Sequence, residues 1–479
     1  MSTMPALDKY ALYIGGEWIA TKEYDTVRLP YDGTPIAQAP RAGRELLGRA
    51  IAAAQQGAAA MGALANYERA DLLLRVGDLL NRDVEDFARI ICAETGKPIK
   101  EARGEASRSR QTLIAAAHEA RQLHGEVVPM DFAPIGKGRM AITVREPVGV
   151  IGSITPFNVP LNLALHKVAP AWAGGNAVVH KPSEKTPLSA FRLARLFEEA
   201  GVPKGAYNVI HGDGPELGMA IVEDPGINMV TFTGSVAIGA QIRACAGLKK
   251  VTLELGNNSA VILEPDADLK TAVARTVQGS FSHSGQVCIS VQRVYVHEEL
   301  HDSFLEQLKA ATEQLVVGHP YEAATDVSSL IDEKAAVRVK EWIDEAVRGG
   351  ARIVTGGERR HATVTPTILT SVPAEAKISC QEVFGPVVAV YPYRALDEAI
   401  HQVNATPYGL QAGIFTNDIG RAFGAARKLH FGGVLINDIP MYRADHMPYG
   451  GIKNSGLGRE GPRYAVEEMT EAKIVCWRV

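Results

Sequence analysis

The stretch VGVIGSITPFNVP, residues 148–160, decides the fold. A β-rich apolar run stops at a turn where two prolines hold the backbone, and it is the first of five such runs. NAVVHKP (176–182), AYNVIHG (206–212), INMVTFTG (227–234) and KKVTLELG (249–256) follow. The segments between them, such as PLSAFRLARLFEEAG (187–201) and SVAIGAQIRACAG (235–247), carry helical periodicity. Strands joined by helical crossovers predict a doubly wound parallel sheet, which takes ligands outside the carboxyl ends of its strands.

Outward from this block, a second alternating region begins at SAVILEP (259–265) and runs through VQRVYVHEEL, ARIVTGG, VVAVYPY and LQAGIFTN to GVLIND (433–438), predicting a second α/β domain. Residues 44–123 read as mostly helical, and GEVVPM (125–130) with GRMAITVREP (138–147) as a hairpin. A chain of 479 residues is too long for one ordinary core, in keeping with two large domains. With 46% hydrophobic and 22% charged residues and a formal charge of -4, it gives no reason to expect nucleic acid or an anionic membrane as partner. The first residues show no basic segment followed by an apolar run, and no stretch approaches the ~20 apolar residues of a membrane span, so a cytoplasmic location is expected. Five scattered cysteines fit a reducing compartment, and none sits at metal-ligand spacing, so no metal is expected.

Several strand ends carry useful chemistry. TPFNVP presents Asn158, HKPSEKTP (180–187) offers Lys181 and Glu184, and in TFTGSVAIG (231–239) Gly234 and Gly239 flank a helix start suited to a phosphate. Each has a plainer reading: Asn158 as a turn residue, Lys181 and Glu184 as a solvated pair, the glycines as packing residues. Glu254 ends an apolar run, where a carboxylate is costly unless paired or functional. Cys288 lies among small and polar residues in FSHSGQVCIS (281–290), open to reading as inert, redox-sensitive or nucleophilic.

Taken together, these motifs resemble those of the NAD(P)-dependent aldehyde dehydrogenases. VTLELGNN (251–258) resembles the family's glutamate motif, FSHSGQVCIS its cysteine motif, TPFNVPLNLALHK (155–167) its asparagine motif, HKPSEKTP its adenosine-ribose motif and FTGSVAIG (232–239) its nucleotide-phosphate turn, while QEVFGPVV (381–388) and MPYGGIKNSGLGREG (447–461) match later landmarks in order. GQVCISVQRVYVH and DHMPYGGIKNSG are most similar to the lactaldehyde dehydrogenase-like branch.

The resemblance implies a Rossmann-like cofactor domain (1–123 and 146–256), an α/β catalytic domain (257–459) and a small β oligomerisation element (124–145 and 460–479) that assembles a homodimer or homotetramer. It implies Cys288 as nucleophile, Asn158 as oxyanion donor and Glu254 as the general base that hydrolyses a thioester, with Lys167 and Glu471 as a proton relay. The matched cofactor positions are Thr155, Pro156, Phe157, Lys181, Glu184, Gly214, Gly218, Phe232, Gly234, Ser235, Ile238, Leu255, Glu382 and Phe384. Glu184 would hold the adenosine ribose and repel a 2′-phosphate, favouring NAD while leaving NADP possible. Asn257 stands where relatives often have a second glycine.

Val159, His166, Arg108 and Arg443 fall on the substrate side, and the two arginines suit a short, polar or anionic aldehyde, although Val287 replaces an arginine that phosphate-accepting relatives carry. The competing reading is a cysteine-dependent esterase or hydrolase with the same thiol and no redox role.

Overall fold

The computed structural model describes residues 7–479. An eight-stranded sheet runs, edge to edge, Glu17–Ile19, Leu12–Ile14, Tyr207–Val209, Ala177–Lys181, Val150–Ile154, Met229–Thr233, Lys250–Glu254 and Gly456–Leu457. Its five central strands are parallel, and each is one of the five β-rich runs of the sequence. In chain order they lie 3-2-1-4-5, so the order reverses between Val150–Ile154 and Met229–Thr233, where a doubly wound sheet opens a crevice. Both strands are buried on both faces, so apolar and small or β-branched residues fill them with no polar alternation, VIGSI in one and MVTFT in the other.

Helices Arg44–Ala63, Asn66–Arg82, Val84–Thr95 and Ile99–Gln122 share one core with this sheet. The second sheet has seven strands in the order Arg352–Thr355, Thr367–Thr370, Val387–Tyr393, Val291–His297, Ser259–Leu263, Gln411–Phe415 and Gly433–Ile436, all parallel except the first. Strand Gly456–Leu457 belongs to the first sheet although it follows all of the second in sequence, so the chain crosses back at the site.

A third sheet pairs Val127–Val128 and Thr470–Arg478 on either side of Arg139–Pro147. Helix Pro462–Glu468, expected in this small element, instead packs on helices Pro160–Ala173 and Ile99–Gln122. Among the described residues no helix is long and apolar enough to cross a membrane, and no cluster of metal-ligating side chains is present.

Candidate active site

Cys288 sits on a loop under backbone strain. His283, Ser284 and Gly285 take positive φ of 47°, 54° and 72°, a conformation that costs side-chain-bearing residues about 1–2 kcal/mol each. The surroundings over-determine the bend. The His283 amide donates to Glu101 Oε2 at 2.7 Å, the Ser284 hydroxyl to the Ser328 carbonyl at 3.0 Å, and Gln286 Oε1 accepts from the Ile331 amide at 2.8 Å. Gly285 lies so close to Gly385 that a Cβ would come within 2.1 Å of its carbonyl oxygen. The small residues of the motif thus serve backbone approach as well as substrate access.

Asn158 meets this loop from the other domain. Its side-chain amide donates to the Gln286 carbonyl at 2.9 Å, two residues before the thiol, leaving a second N–H for another acceptor. The buried helix Pro160–Ala173 begins two residues later with no side-chain cap of its own. Glu105, from helix Ile99–Gln122, supplies the cap: Oε1 accepts from the Leu161 amide at 3.0 Å and the Asn162 amide at 3.3 Å, while Oε2 pairs with Lys97. Because Lys97 and Glu105 are both buried, Glu105→Gln should destabilise the fold by about 3 kcal/mol, read by chemical denaturation, and displace Asn158.

Glu254 ends strand Lys250–Glu254 with both carboxyl oxygens buried and unpartnered among the described residues. Its pKa stands well above the ordinary range because it is buried and faces Glu460, with Arg443 and Lys167 acting in the opposite sense. The carboxyl points at Gly450, where a Cβ would lie 2.8 Å from Oε1. One residue earlier in the chain, the Tyr449 hydroxyl lies 3.0 Å from Cys288 Sγ. The thiol is partly accessible at its surface, and its pKa is pushed up to about 12, first by burial and then by Glu254 and Glu382, against the pull of Tyr449 and Arg443.

The expected relay pair does not form. Glu471 is exposed on the edge strand Thr470–Arg478 and pairs with Lys250 at 2.9 Å, whereas the buried Lys167 donates to Glu460 Oε1 at 2.9 Å and Thr231 Oγ1 at 3.2 Å. Glu471 is the second residue of a strand that is exposed at every position after Thr470, so its charge stays in water. Glu460, in the quoted GREG run, turns inward. Burial opposes its charge, but Lys167 and Arg443 hold its carboxyl well below the usual range.

The Arg443 side chain, 8% exposed, donates to Glu460 Oε2 at 2.9 Å and stacks its guanidinium 3.7 Å from the Tyr449 ring centre. Arg108 grips Asp445 at 2.8 Å and 3.0 Å, and Asp445 also meets His166 Nε2 at 3.0 Å and Asn162 at 3.2 Å. Arg108 Nη2, Arg443 Nε and His166 Nδ1 remain buried without partners among the described residues. Burial and Arg443 lower the His166 pKa against the pull of Asp445, so the ring is neutral. With Nε2–H on Asp445, Nδ1 is an acceptor. Val159 borders the same helix start, half-buried, and a cavity of about 450 Å³ lined by Gln111, His118, Asp445 and His446 opens beside the cluster.

Several of the positions expected to hold a cofactor contact one another. Lys181 is buried, its pKa lowered by burial against Glu184 and Asp213, and among the described residues its ammonium has only a 3.4 Å contact to the Pro182 carbonyl. Thr155 bonds His180 at 2.8 Å, Pro156 follows it half-buried, and Phe157 meets Phe384 edge-on. Ser235 caps helix Val236–Cys245 by accepting from the Ile238 amide at 3.5 Å, and Ile238 is exposed. Gly239 is a packing glycine against Leu255, while Gly234 gives way to Phe232. Glu184 is exposed and overlies Gly214, the start of helix Gly214–Glu223, in which Gly218 faces open space. Glu382 accepts from the Asn257 amide at 2.9 Å, and its pKa is pushed up to about 7 by burial. The Asn257 side chain turns to Ser259 at 2.6 Å and the Leu410 amide, while its backbone amide serves Glu382.

The model of the aldehyde dehydrogenase family matches residues 18–475. The chain belongs to the aldehyde dehydrogenase family. It is 50% identical over 475 residues, 99% of either chain, to a 3-sulfolactaldehyde dehydrogenase of Priestia aryabhattai, and 41% identical over 468 residues, 97% of this chain and 99% of the relative, to a lactaldehyde dehydrogenase of Methanocaldococcus jannaschii. The crystal structure of aldehyde dehydrogenase 21 from Physcomitrella patens, in complex with the reaction product succinate, superposes with a TM-score of 0.96 at 39% identity over 99% of both chains. Membership selects the redox reading over the hydrolase one: this family member is an NAD(P)-dependent enzyme that oxidises aldehydes.

Sequence reasoning missed Tyr449, Glu460, Asp445 and Glu105. Glu105 had a signal, a carboxylate on the apolar face of a helix beside Ala102, Ala106 and Ser109. Glu460 and Tyr449 lay inside a quoted motif, unmarked by any periodicity.

Proposed function

We propose that this enzyme oxidises a short anionic 2-hydroxy-aldehyde to its carboxylic acid, with water as the acyl acceptor. The observation that carries the reading is Glu254, a buried and unpartnered carboxyl beside the nucleophile, which has no structural reason to be there. Cys288 attacks the aldehyde carbon, and the free N–H of the Asn158 amide with the Cys288 backbone N–H receives the oxyanion; such donors are worth ~100-fold or more in rate. A nicotinamide dinucleotide, when bound, accepts the hydride. Its holders would be the under-partnered Lys181, the free amides at the start of helix Val236–Cys245, Glu184 and Glu382. Lys185 is engaged with Asp332 at 3.2 Å, which together with the Glu184 charge favours NAD over NADP. Glu254 then takes a proton from the water that hydrolyses the thioester, and the Lys167–Glu460 pair, in place of the Glu471 relay, sets the field in which it does so.

The substrate class follows from charge. Arg108, Lys167 and Arg443 face the two ionised carboxylates Asp445 and Glu460, leaving one positive charge over. The unused Arg108 Nη2 and Arg443 Nε suit a sulfonate or carboxylate, and His166 Nδ1 suits a hydroxyl next to the aldehyde. Both named relatives act on lactaldehydes, which fits. Arg108→Met and Arg443→Ala should each raise the KM for 3-sulfolactaldehyde about tenfold while changing that for propanal less than twofold. Equal rises for both aldehydes would remove the anion site.

We further propose a cytoplasmic homodimer or homotetramer. The strand Thr470–Arg478 leaves one edge unpaired, and Ile474, Trp477, Met140, Phe132 and Ile135 are exposed around it. The cysteines are all free.

A further inference from the structure

The reading of Cys288 as nucleophile leaves a difficulty. The thiolate attacks, yet burial and the carboxyls of Glu254 and Glu382 all oppose its formation. Two groups face the sulfur with the opposite effect, the Tyr449 hydroxyl and the Arg443 guanidinium, and they are built as one unit. Arg443 lies flat against the Tyr449 ring, 3.7 Å from its centre, and is anchored on the other side by Glu460 at 2.9 Å. Tyr449 is locked in register with the same glutamate by backbone bonds in both directions, 3.0 Å and 2.6 Å. Its ring packs with Ile289 and Leu410, work a phenylalanine would do as well. The hydroxyl is the part that packing does not explain, and its partner is the sulfur at 3.0 Å. A cation over the ring draws electron density from the phenol and strengthens its O–H as a donor.

We propose that Tyr449 is a catalytic residue whose hydroxyl donates a hydrogen bond to the Cys288 thiolate, holding the attacking form of the nucleophile before substrate arrives. The phenol keeps its proton, and the thiol proton leaves to solvent. The titratable groups facing the pair are Glu254 from the first sheet, Glu382 from the loop after helix Lys377–Cys380, and Arg443. The proposal rests on Cys288 being the nucleophile, so its test uses a readout independent of turnover.

The second-order rate of iodoacetamide alkylation of the full-length enzyme, free of cofactor, is measured across pH. In Tyr449→Phe the rate near pH 8 should fall about tenfold and the rise with pH should move to higher pH. With 2,3-difluorotyrosine at position 449, a stronger donor, the rise should move to lower pH. If Tyr449→Phe does not fold, the fluorinated enzyme, which keeps the ring and its contacts, decides alone. Profiles that superimpose on that of the parent overturn the proposal. Aldehyde turnover by Cys288→Ser checks the underlying reading separately: turnover retained there removes the nucleophile itself, whereas an unshifted alkylation profile removes only the part given to the hydroxyl.

Discussion

Cys288→Ser should lower kcat/KM by about 10³-fold or more for every aldehyde, anionic or neutral, while the dissociation constant for NAD, read by protein fluorescence, stays within twofold. The sulfur is the only group here that is both a strong nucleophile and a good leaving group from the acyl intermediate. Serine fits the same space but is barely ionised, and neither the Asn158 amide nor the crevice residues can replace bond formation. Because Cys288 lies on a loop held by Glu101, Ser328 and Ile331 rather than by its own side chain, the substitution should leave the fold intact. Uniform loss across substrates distinguishes this variant from changes at Arg108, whose effects depend on substrate charge. Retention of more than about a tenth of the parent activity would show that another group attacks.

Glu254→Gln should separate the two halves of the reaction. Glutamine keeps the shape of the side chain but cannot accept a proton from water, so acylation proceeds and hydrolysis slows by about 10²–10⁴-fold. Stopped-flow absorbance should show one equivalent of NADH per subunit in a burst, followed by a slow steady state. In the parent, deacylation should rise with pH well above the ordinary carboxylate range, because burial and Glu460 hold the Glu254 proton, and the variant should lose that rise. Stability provides a second signature. A carboxyl whose folded pKa is raised contributes stability that is fully present below its unfolded value and is lost as pH rises towards the folded one. The variant, free of that loss, should unfold at a higher temperature than the parent, by a margin that widens from pH 5 to pH 8.

The parts of this molecule legible from sequence were those written in local patterns. The five runs from 148 to 256 are the five parallel strands because strands buried on both faces are rich in apolar and β-branched residues without polar alternation, and several of the runs end at glycine or proline. Glu254 and Cys288 were conspicuous because each breaks the rule of its surroundings, a carboxylate ending a buried strand and a thiol among polar neighbours. Partnerships were not legible. Lys167 was expected to pair with Glu471, but which of two glutamates eleven residues apart turns inward depends on helix Pro462–Glu468 docking on Pro160–Ala173 between them. The charge balance around Asp445 and the stack of Arg443 on Tyr449 join segments hundreds of residues apart or on irregular loops, where no period exists to be read.

The central claim is that the aldehyde becomes a thioester on one sulfur before water reaches it. Glu254→Gln mixed with NAD and 3-sulfolactaldehyde, quenched in acid after the burst and digested, tests it by mass spectrometry. The account predicts that the peptide carrying Cys288 gains the mass of the aldehyde less two hydrogen atoms, in amount equal to the NADH formed. Burst NADH with Cys288 unmodified, or the same mass gained on another residue, would contradict it.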